Sequence, residues 1–369
     1  PYTVLIYPLV LKDKVWLVWA AKGGVVNSVQ LPIQERQLGE AVLQFRQLVQ
    51  DPTESLQRTQ AGGKVLYDWL IKPLEAELKA NKIQHLVFSL DRVTRYIPLA
   101  ALFDGNQYLI ENYTISTVLS ADLTNLRDRL PPPQNTSVLA VGASEFTELS
   151  PLPSVPAELD AIVRQAPSDR TGIYPGMELL NQAFNFRALR DNLLGHRILH
   201  IATHGAFLPG RPEDSYLVLG NNEKLTISAV RTLPDLGNVH LVVLSACETA
   251  LGGADQDGTE ISGISYYFLN SGAAAVLASL WSVDDASTSL LMQQFYSYLA
   301  MGTVQEPVTK AEALRQAQFS LLYGRASVKP SRADLGNQLT AGQPPIANHQ
   351  SRFAHPYYWA PFVLIGNGL

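Results

Sequence analysis

The sequence predicts an α/β fold built on a mainly parallel sheet, with helices covering both faces. From residue 134 onward, apolar runs of strand length alternate with segments of helical periodicity. These runs are apolar throughout, which is typical of parallel strands buried on both faces. Hydrophobic residues make up 46% and charged residues 17% of the 369 residues, so a large core is available. The length suits about two domains at ~150 residues each.

The first part of the chain, residues 1–133, mixes strand and helix patterns. The segments "YTVLIYPLVL" and "KVWLVWAA" predict two strands around a turn, and "KIQHLVFSLD" predicts a buried strand. Between them, "LGEAVLQFRQLVQ" and "AGGKVLYDWLIKPLEAELKAN" have helical spacing. Prolines at 131–133 then interrupt the pattern, because proline lacks a backbone donor and stiffens a connector. We therefore place the boundary between two halves at these prolines.

The second part, residues 134–369, alternates strands and helices regularly. The predicted strands are "SVLAVGAS", "RILHIATHG", "HLVVLSACE" and "AAAVLASLWSVDD". The predicted helices are "VPAELDAIVRQA", "NFRALRDNLL", "TISAVRTL", "EISGISYYFLNSG", "ASTSLLMQQFYSYLAMG" and "TKAEALRQAQFSLLYG". Asn185 and Thr309 are expected N-caps, the latter in a capping box with Glu312. The polar residues 324–352, rich in Gly and Pro, are expected to form a long mobile loop, and "HPYYWAPFVLIGNG" a final strand.

Composition excludes several classes of function. The net charge is −5 and no long basic run occurs, so we expect no nucleic-acid partner. The longest apolar stretches have strand length, so no membrane partner is expected either. No cofactor motif or complete metal-binding motif is present, and the single cysteine fits a reducing cytoplasm. The chain begins at Pro1 and enters a strand at once, so we expect a fragment or a processed form.

Chemically reactive side chains follow the predicted strands at the points where the strands end. His204 follows "RILHIAT", and Cys247, the single cysteine, follows "HLVVLSA". Asp284 and Asp285 follow "AAAVLASLWSV", and Asp91 follows "KIQHLVFSL" in the first part. Ligands of open parallel sheets bind beyond the carboxyl ends of the strands. We therefore expect a base, a thiol and several acids to share one edge of the sheet.

His204 and Cys247 together suit nucleophilic catalysis. Neighbouring strands lie about 4.8 Å apart, so an imidazole and a thiol at adjacent strand ends can face each other. The imidazole would favour the reactive thiolate, and the backbone N–H groups of Gly205 and Cys247 would form an oxyanion hole. The alternative is that Cys247 is a small core residue. His200 would lie about 13 Å from His204 along a strand, so we predict a core histidine and no metal site.

Four motifs carry a resemblance to a known family. "HIATHGAF", "LVVLSACETALGG", "GISYYFLNSGAAAVLASLWSVDDAST" and "HPYYWAPFVLIG" follow the order of the CHAT domain, a caspase-like peptidase domain found behind tetratricopeptide repeats. The resemblance covers residues 82–369 and extends to HetF-type members of cyanobacteria, which govern heterocyst differentiation and cell division. It implies a caspase-like three-layer sandwich, with a pseudo-caspase half at 1–133 and an active half at 134–369. One departure is Ala250, where many members have glycine.

The resemblance also implies an activity, a cysteine endopeptidase with Cys247 as nucleophile and His204 as base. "LASLWSVD" is similar to a strand end of the related peptidase separase whose acid receives arginine, which implies that Asp285 binds the residue before the cut. Asp91 resembles a second acid that separase brings from its preceding half. The implied partners are a protein substrate with a basic residue at the cleavage site, arginine before lysine, and upstream tetratricopeptide repeats. No cofactor is implied.

Two alternatives stay open. Asp285 could cap the helix that begins at Ala286, and Asp91 could be a turn residue, which would leave an apolar pocket. The domain could also be a catalytically silent scaffold that binds regulatory partners. The presence of both dyad residues favours the enzyme.

Overall fold

A twelve-stranded sheet runs through the part of the chain that the computed structural model describes, residues 2–21, 24, 26–119, 124, 129–207, 214–245, 248–249, 259–325 and 351–369. Its N-terminal strands are β1 (Thr3–Val10), β2 (Val15–Ala21), β3 (Val26–Leu31), β4 (His85–Phe88) and β5 (Thr114–Thr117). The later strands, which include the four of a smaller sheet, are β6 (Val138–Gly142), β7 (Val163–Arg164), β8 (Tyr174–Leu180), β9 (Ile198–Ala202), β10 (Gly205–Phe207), β11 (Tyr216–Val218), β12 (Lys224–Thr226), β13 (Leu241–Ser245), β14 (Glu248–Thr249), β15 (Ala275–Ser279) and β16 (Phe362–Gly366).

The α-helices lie between these strands along the chain. They are α1 (Glu35–Gln50), α2 (Leu56–Leu70), α3 (Glu75–Ala80), α4 (Leu109–Asn112), α5 (Val155–Ile162), α6 (Phe186–Asn192), α7 (Thr259–Asn270), α8 (Asp285–Leu299), α9 (Lys310–Leu322) and α10 (Pro356–Trp359). None of the helices in the described ranges is both long and apolar enough to cross a membrane.

The large sheet has the strand order β3-β2-β1-β4-β5-β16-β15-β13-β9-β6-β8-β7. Its pairs are parallel except β1–β2, β2–β3 and β15–β16. Central strands are buried on both faces: in β13, Leu241 and Val243 belong to one core cluster, and Val242 and Leu244 to another. The predicted α/β class with a mainly parallel, doubly covered sheet is therefore confirmed.

The two predicted halves meet inside this sheet. β5 precedes the prolines at 131–133, and Thr117 in it is the register partner of Ile365 in β16. β16 in turn pairs with β15 along its whole length. The C-terminal strand is thus inserted between the two halves, and the sheet continues without a break from one half to the other.

Several elements differ from the sequence prediction. α5 ends at Ile162 although the helical pattern continues to residue 166, because Val163 and Arg164 pair with β8 as the short strand β7. "TISAVRTL" forms a 3-10 helix over Ile227–Thr232. β3 and β8 were not predicted, since both are mostly exposed or half-buried and lack a continuous apolar run. Residues 326–350 of the predicted loop lie outside the described residues.

Candidate functional site

All predicted site residues except Asp91 follow three strands that are neighbours in the sheet. β9, β13 and β15 pair in parallel, with Ala202 opposite Ser245 and Val242 opposite Val276. Their carboxyl ends therefore share one edge, as the sequence predicts. His204 comes two residues after β9, and Cys247 two residues after β13. Cys247 itself lies outside the described residues.

The chain segments that carry His204 and Cys247 are paired on both sides of these residues. Before them, Ala202 of β9 is the register partner of Ser245 of β13. After them, Ala206 of β10 is the register partner of Glu248 of β14, again in parallel. This second pairing belongs to the smaller sheet, whose order is β12-β11-β10-β14. Two separate sheets thus hold the two segments side by side.

The imidazole of His204 has a fixed orientation. Its Nε2 lies 2.8 Å from the carbonyl oxygen of Ser150, and its ring meets that of Phe146 edge to face with centroids 4.7 Å apart. A carbonyl oxygen only accepts, so Nε2 carries a proton and donates it. The other ring nitrogen, Nδ1, is then the basic nitrogen of the neutral imidazole.

Gly205, the predicted oxyanion residue, is buried at the start of β10. Its register partner is Leu217 of β11, and the N–H of Val218 donates to the carbonyl of His204 at 2.8 Å. The hydroxyl of Thr203 donates to the carbonyl of Val218. The backbone around His204 is thus held by β11, although the oxyanion role of Gly205 stays a prediction.

The two acids after β15 have different contacts. Asp284 is the N-cap of α8, and its Oδ2 accepts from the N–H of Ser287 at 2.8 Å. Asp285 is the first residue of that helix, so it is not the cap that the alternative assumed. It is half-buried, and its Oδ2 accepts from the N–H of Ser154 at 2.7 Å. Its carboxylate therefore faces the connection between β6 and α5.

Asp91 lies elsewhere on the sheet. Its Oδ2 accepts from the N–H of Val10 in β1 at 3.2 Å, and its own N–H donates to Thr94 Oγ1. β1 is on the side of β4 away from β13, and β5 and β16 lie between β4 and β15. Three strand spacings, about 14 Å, thus separate the strands that precede Asp91 and Asp285. Asp91 directly precedes the 3-10 helix Arg92–Tyr96, and its role as a second acid stays a prediction.

A polar cluster not predicted from the sequence lies under the strand ends. Glu158 of α5 accepts at Oε1 from Ser245 Oγ at 2.6 Å and from His200 Nε2 at 2.9 Å. His200 Nδ1 lies 3.1 Å from the hydroxyl of Tyr296 in α8. His200 is fully buried, which agrees with its prediction as a core histidine. Across the described ranges, no group of three or more His, Cys, Asp and Glu residues could hold a metal ion.

One segment, residues 143–162, touches all three strand ends. Its Ser150 carbonyl contacts His204, the N–H of Ser154 contacts Asp285, and Glu158 contacts Ser245. The sequence did not point to this segment, because two of the contacts come from backbone atoms and a glutamate in a helix pattern is usually solvated. In the structure, residues 143–162 therefore contact the candidate site at all three strand ends.

Comparison with known proteins agrees with this architecture. The CHAT domain family matches residues 60–367 of the chain. Tetratricopeptide repeat protein 28 of mouse is 23% identical and that of human 24% identical, each over 86% of this chain. The chain spans only 14% of the length of either relative.

A solved structure has the same fold. The chain superposes on separase in the separase–securin complex of Saccharomyces cerevisiae with a TM-score of 0.59 at 10% sequence identity. The match covers 99% of this chain and 30% of separase. The fold is therefore the caspase-like α/β fold, and the low identity limits this likeness to the fold.

Proposed function

Because the chain belongs to the CHAT domain family, we propose that it is a cysteine endopeptidase in which Cys247 is the nucleophile and His204 the base. The observation that carries this proposal is the pairing on both sides of the two segments, Ala202 with Ser245 and Ala206 with Glu248. Parallel neighbours are about 4.8 Å apart, a spacing that lets an imidazole and a thiol reach each other.

The proposed reaction proceeds through an acyl-enzyme. Nδ1 of His204 takes the proton of the Cys247 thiol, and the sulfur attacks the carbonyl carbon of the scissile peptide bond. The C–N bond then breaks, and the imidazolium returns the proton to the leaving amine. A water, deprotonated by the same nitrogen, hydrolyses the thioester. The N–H groups of Gly205 and Cys247 stabilise the oxyanion at both stages.

The Ser150 carbonyl orients the imidazole of His204, which in a catalytic triad is the task of a third, acidic residue. It holds Nε2–H at 2.8 Å and so leaves Nδ1 free to act as the base. When Nδ1 is protonated, the same hydrogen bond becomes charge-assisted and strengthens. A dyad supported by a backbone carbonyl is therefore sufficient for the proposed chemistry.

We assign the basic preference at the cleavage site to Asp285. It lies at the start of α8, after the strand adjacent to β13, and is half-buried, so its charge is less screened than that of a surface acid. An arginine guanidinium matches a carboxylate bidentately and stays charged, whereas lysine offers a point charge. The proposal is cleavage after arginine, then lysine. The role of Asp91 as a second acid of this pocket stays a prediction, and its carboxylate already accepts from the N–H of Val10 in β1.

The biological setting belongs to the same proposal. The curated relatives are named for tetratricopeptide repeats, and the chain spans 14% of their length. We propose that such repeats precede this domain in its parent protein and that its cleavage of a protein substrate serves regulation of cell differentiation or division. A catalytically silent scaffold is the competing function.

A thiol-reactive peptide probe tests the proposal against the scaffold. An arginyl acyloxymethyl ketone should label the single cysteine of the wild type, and labelling and peptide cleavage should fall at least about a hundredfold in His204→Ala. His196→Ala, at the opposite end of β9, is the matched control and should keep both. Equal labelling in the wild type and His204→Ala, with no cleavage by either, would favour the scaffold.

A further inference from the structure

A buried polar cluster lies beneath the end of the strand that leads to Cys247. Glu158 and Ser245 are each 1% exposed and His200 is fully buried. A single atom, Glu158 Oε1, accepts hydrogen bonds from both Ser245 and His200. None of these side chains takes part in the proposed reaction.

The free-energy cost of burying this cluster suggests that it has a role other than packing. Burying a carboxylate costs several kcal/mol, which its hydrogen bonds only partly offset. Leu159 and Ile162 of α5, the helix that carries Glu158, are fully buried in the core. A leucine would avoid the cost of burying the charge, but it would leave the Ser245 hydroxyl and the His200 N–H without this acceptor. The carboxylate of Glu158, in contrast, binds side chains of two neighbouring strands, Ser245 of β13 and His200 of β9, through one oxygen atom.

We propose that Glu158 is a positioning residue for the nucleophile and its base. Through Ser245 it holds the last residue of β13, two residues before Cys247. Through His200 it holds β9, four residues before His204. The two strand ends are thereby fixed relative to each other. This inference rests on the proposed peptidase function.

The connection of Glu158 to the base is reinforced along its own segment. The same chain segment supplies the Ser150 carbonyl to His204, eight residues before Glu158. The distance from nucleophile to base is therefore set by one continuous piece of chain that contacts both sides. Removing the Glu158–Ser245 hydrogen bond should therefore weaken the constraint on the end of β13, which leads to Cys247, and leave the contacts of His204 in place.

Three variants test this role. Ser245→Ala removes only the bond at β13, and Glu158→Leu removes both bonds. Both should lower kcat for an arginyl peptide about tenfold to a hundredfold with little change in KM, since small misplacement of reacting groups has this effect. Glu158→Gln retains an oxygen that can accept both bonds, and it should recover most of kcat.

Tyr296→Phe is the matched control. It removes the hydroxyl that contacts His200 at the far end of the cluster and leaves the Glu158–Ser245 bond in place. Urea unfolding of each variant gives its loss of stability. A positioning role requires that Ser245→Ala lose far more kcat than Tyr296→Phe at a similar loss of stability. Losses of kcat that simply follow stability would overturn it.

A second measurement does not depend on peptidase activity. The chain has one cysteine, so the rate of iodoacetamide alkylation against pH reports the ionisation of Cys247 alone. Ser245→Ala should move the midpoint toward the free-thiol value of about 8.5, and Tyr296→Phe should not. If the wild type cuts no peptide, the peptidase proposal is wrong. If the wild type is active but Ser245→Ala changes neither kcat nor the pH midpoint of alkylation, the positioning role of Glu158 is wrong.

Discussion

At the scale of single residues, existing hydrogen bonds determine which atoms of the candidate site are available to a substrate. Nε2 of His204 donates to a backbone carbonyl, which leaves Nδ1 as the basic nitrogen. Asp284 caps α8, whereas the carboxylate of the neighbouring Asp285 accepts from the N–H of Ser154 outside that helix. The two adjacent acids thus have separate contacts, and only Asp285 is proposed to bind substrate.

This separation predicts the outcome of two single substitutions. Asp285→Asn keeps an oxygen for the Ser154 N–H but removes the charge, so kcat/KM for an arginyl peptide should fall about tenfold to a hundredfold. The value for a leucyl peptide should change little. Asp284→Asn is the control, since asparagine caps a helix as well as aspartate does. Fluorogenic peptides that differ only before the cut measure both effects. Retained arginine selectivity in Asp285→Asn would contradict the assignment.

At the scale of elements, the sequence predicted the strands that are buried on both faces. β6, β13 and β15 are nearly continuous apolar runs, and β9 is interrupted only by His200; such a run allows few other structures. β10, β11, β12 and β14 have at most three residues each, too few for a periodic pattern, and β10 pairs with β14, which is distant in sequence. Because β9 and β13 could be predicted, their carboxyl ends identified His204 and Cys247 as candidate site residues from the sequence alone.

The supporting contacts were not predictable for related physical reasons. The Ser150 carbonyl has no sequence signature, and Glu158 has the spacing of an ordinary helix acid. The capping box is half formed: Thr309 accepts from the N–H of Glu312, whereas the Glu312 carboxylate accepts from Thr114. A partner distant in sequence competes for the acid, and tertiary contact outweighs the local motif.

The β4–β5 pair predicts a dependence of stability on pH. His85 Nε2 lies 3.0 Å from Ser116 Oγ, and burial lowers the pKa of His85 to about 4, against the opposing effect of Glu312. The ordinary value is about 6.5, so this contribution to stability is complete above pH 6.5 and is lost as pH falls toward 4. It should weaken the free energy of unfolding by roughly 1 kcal/mol between pH 7.5 and 5.5.

Urea unfolding of His85→Gln at both pH values measures this contribution. Glutamine cannot take up a proton, so the decrease between pH 7.5 and 5.5 should be smaller than in the wild type by that amount. Other histidines whose pKa is lowered contribute equally to both proteins and cancel in the difference. Identical decreases in the two proteins would show that His85 is not the group responsible.

At the scale of the whole molecule, two buried arginines cross between the halves. Arg315 of α9 donates to the carbonyls of Ile110 and Glu111 at the end of α4, each at 2.7 Å. Arg46 of α1 donates to the carbonyl of Leu280 at 2.8 Å, just after β15. The N-terminal half therefore contacts the strand end that leads to the candidate pocket, and we expect the two halves to unfold as one unit.

Arg315→Met should reveal this coupling. The variant leaves the carbonyls of Ile110 and Glu111 without their donor, and each unsatisfied buried carbonyl costs about 1–3 kcal/mol, so the loss should be roughly 2–6 kcal/mol. Because β16 joins both halves of the sheet, unfolding should stay a single transition, with tryptophan fluorescence and far-UV circular dichroism coinciding. Arg187→Met, at a side chain that is 86% exposed, is the control and should cost less than about 0.5 kcal/mol. Two separated transitions, or a loss in Arg315→Met no larger than in the control, would mean that the halves are stabilised independently.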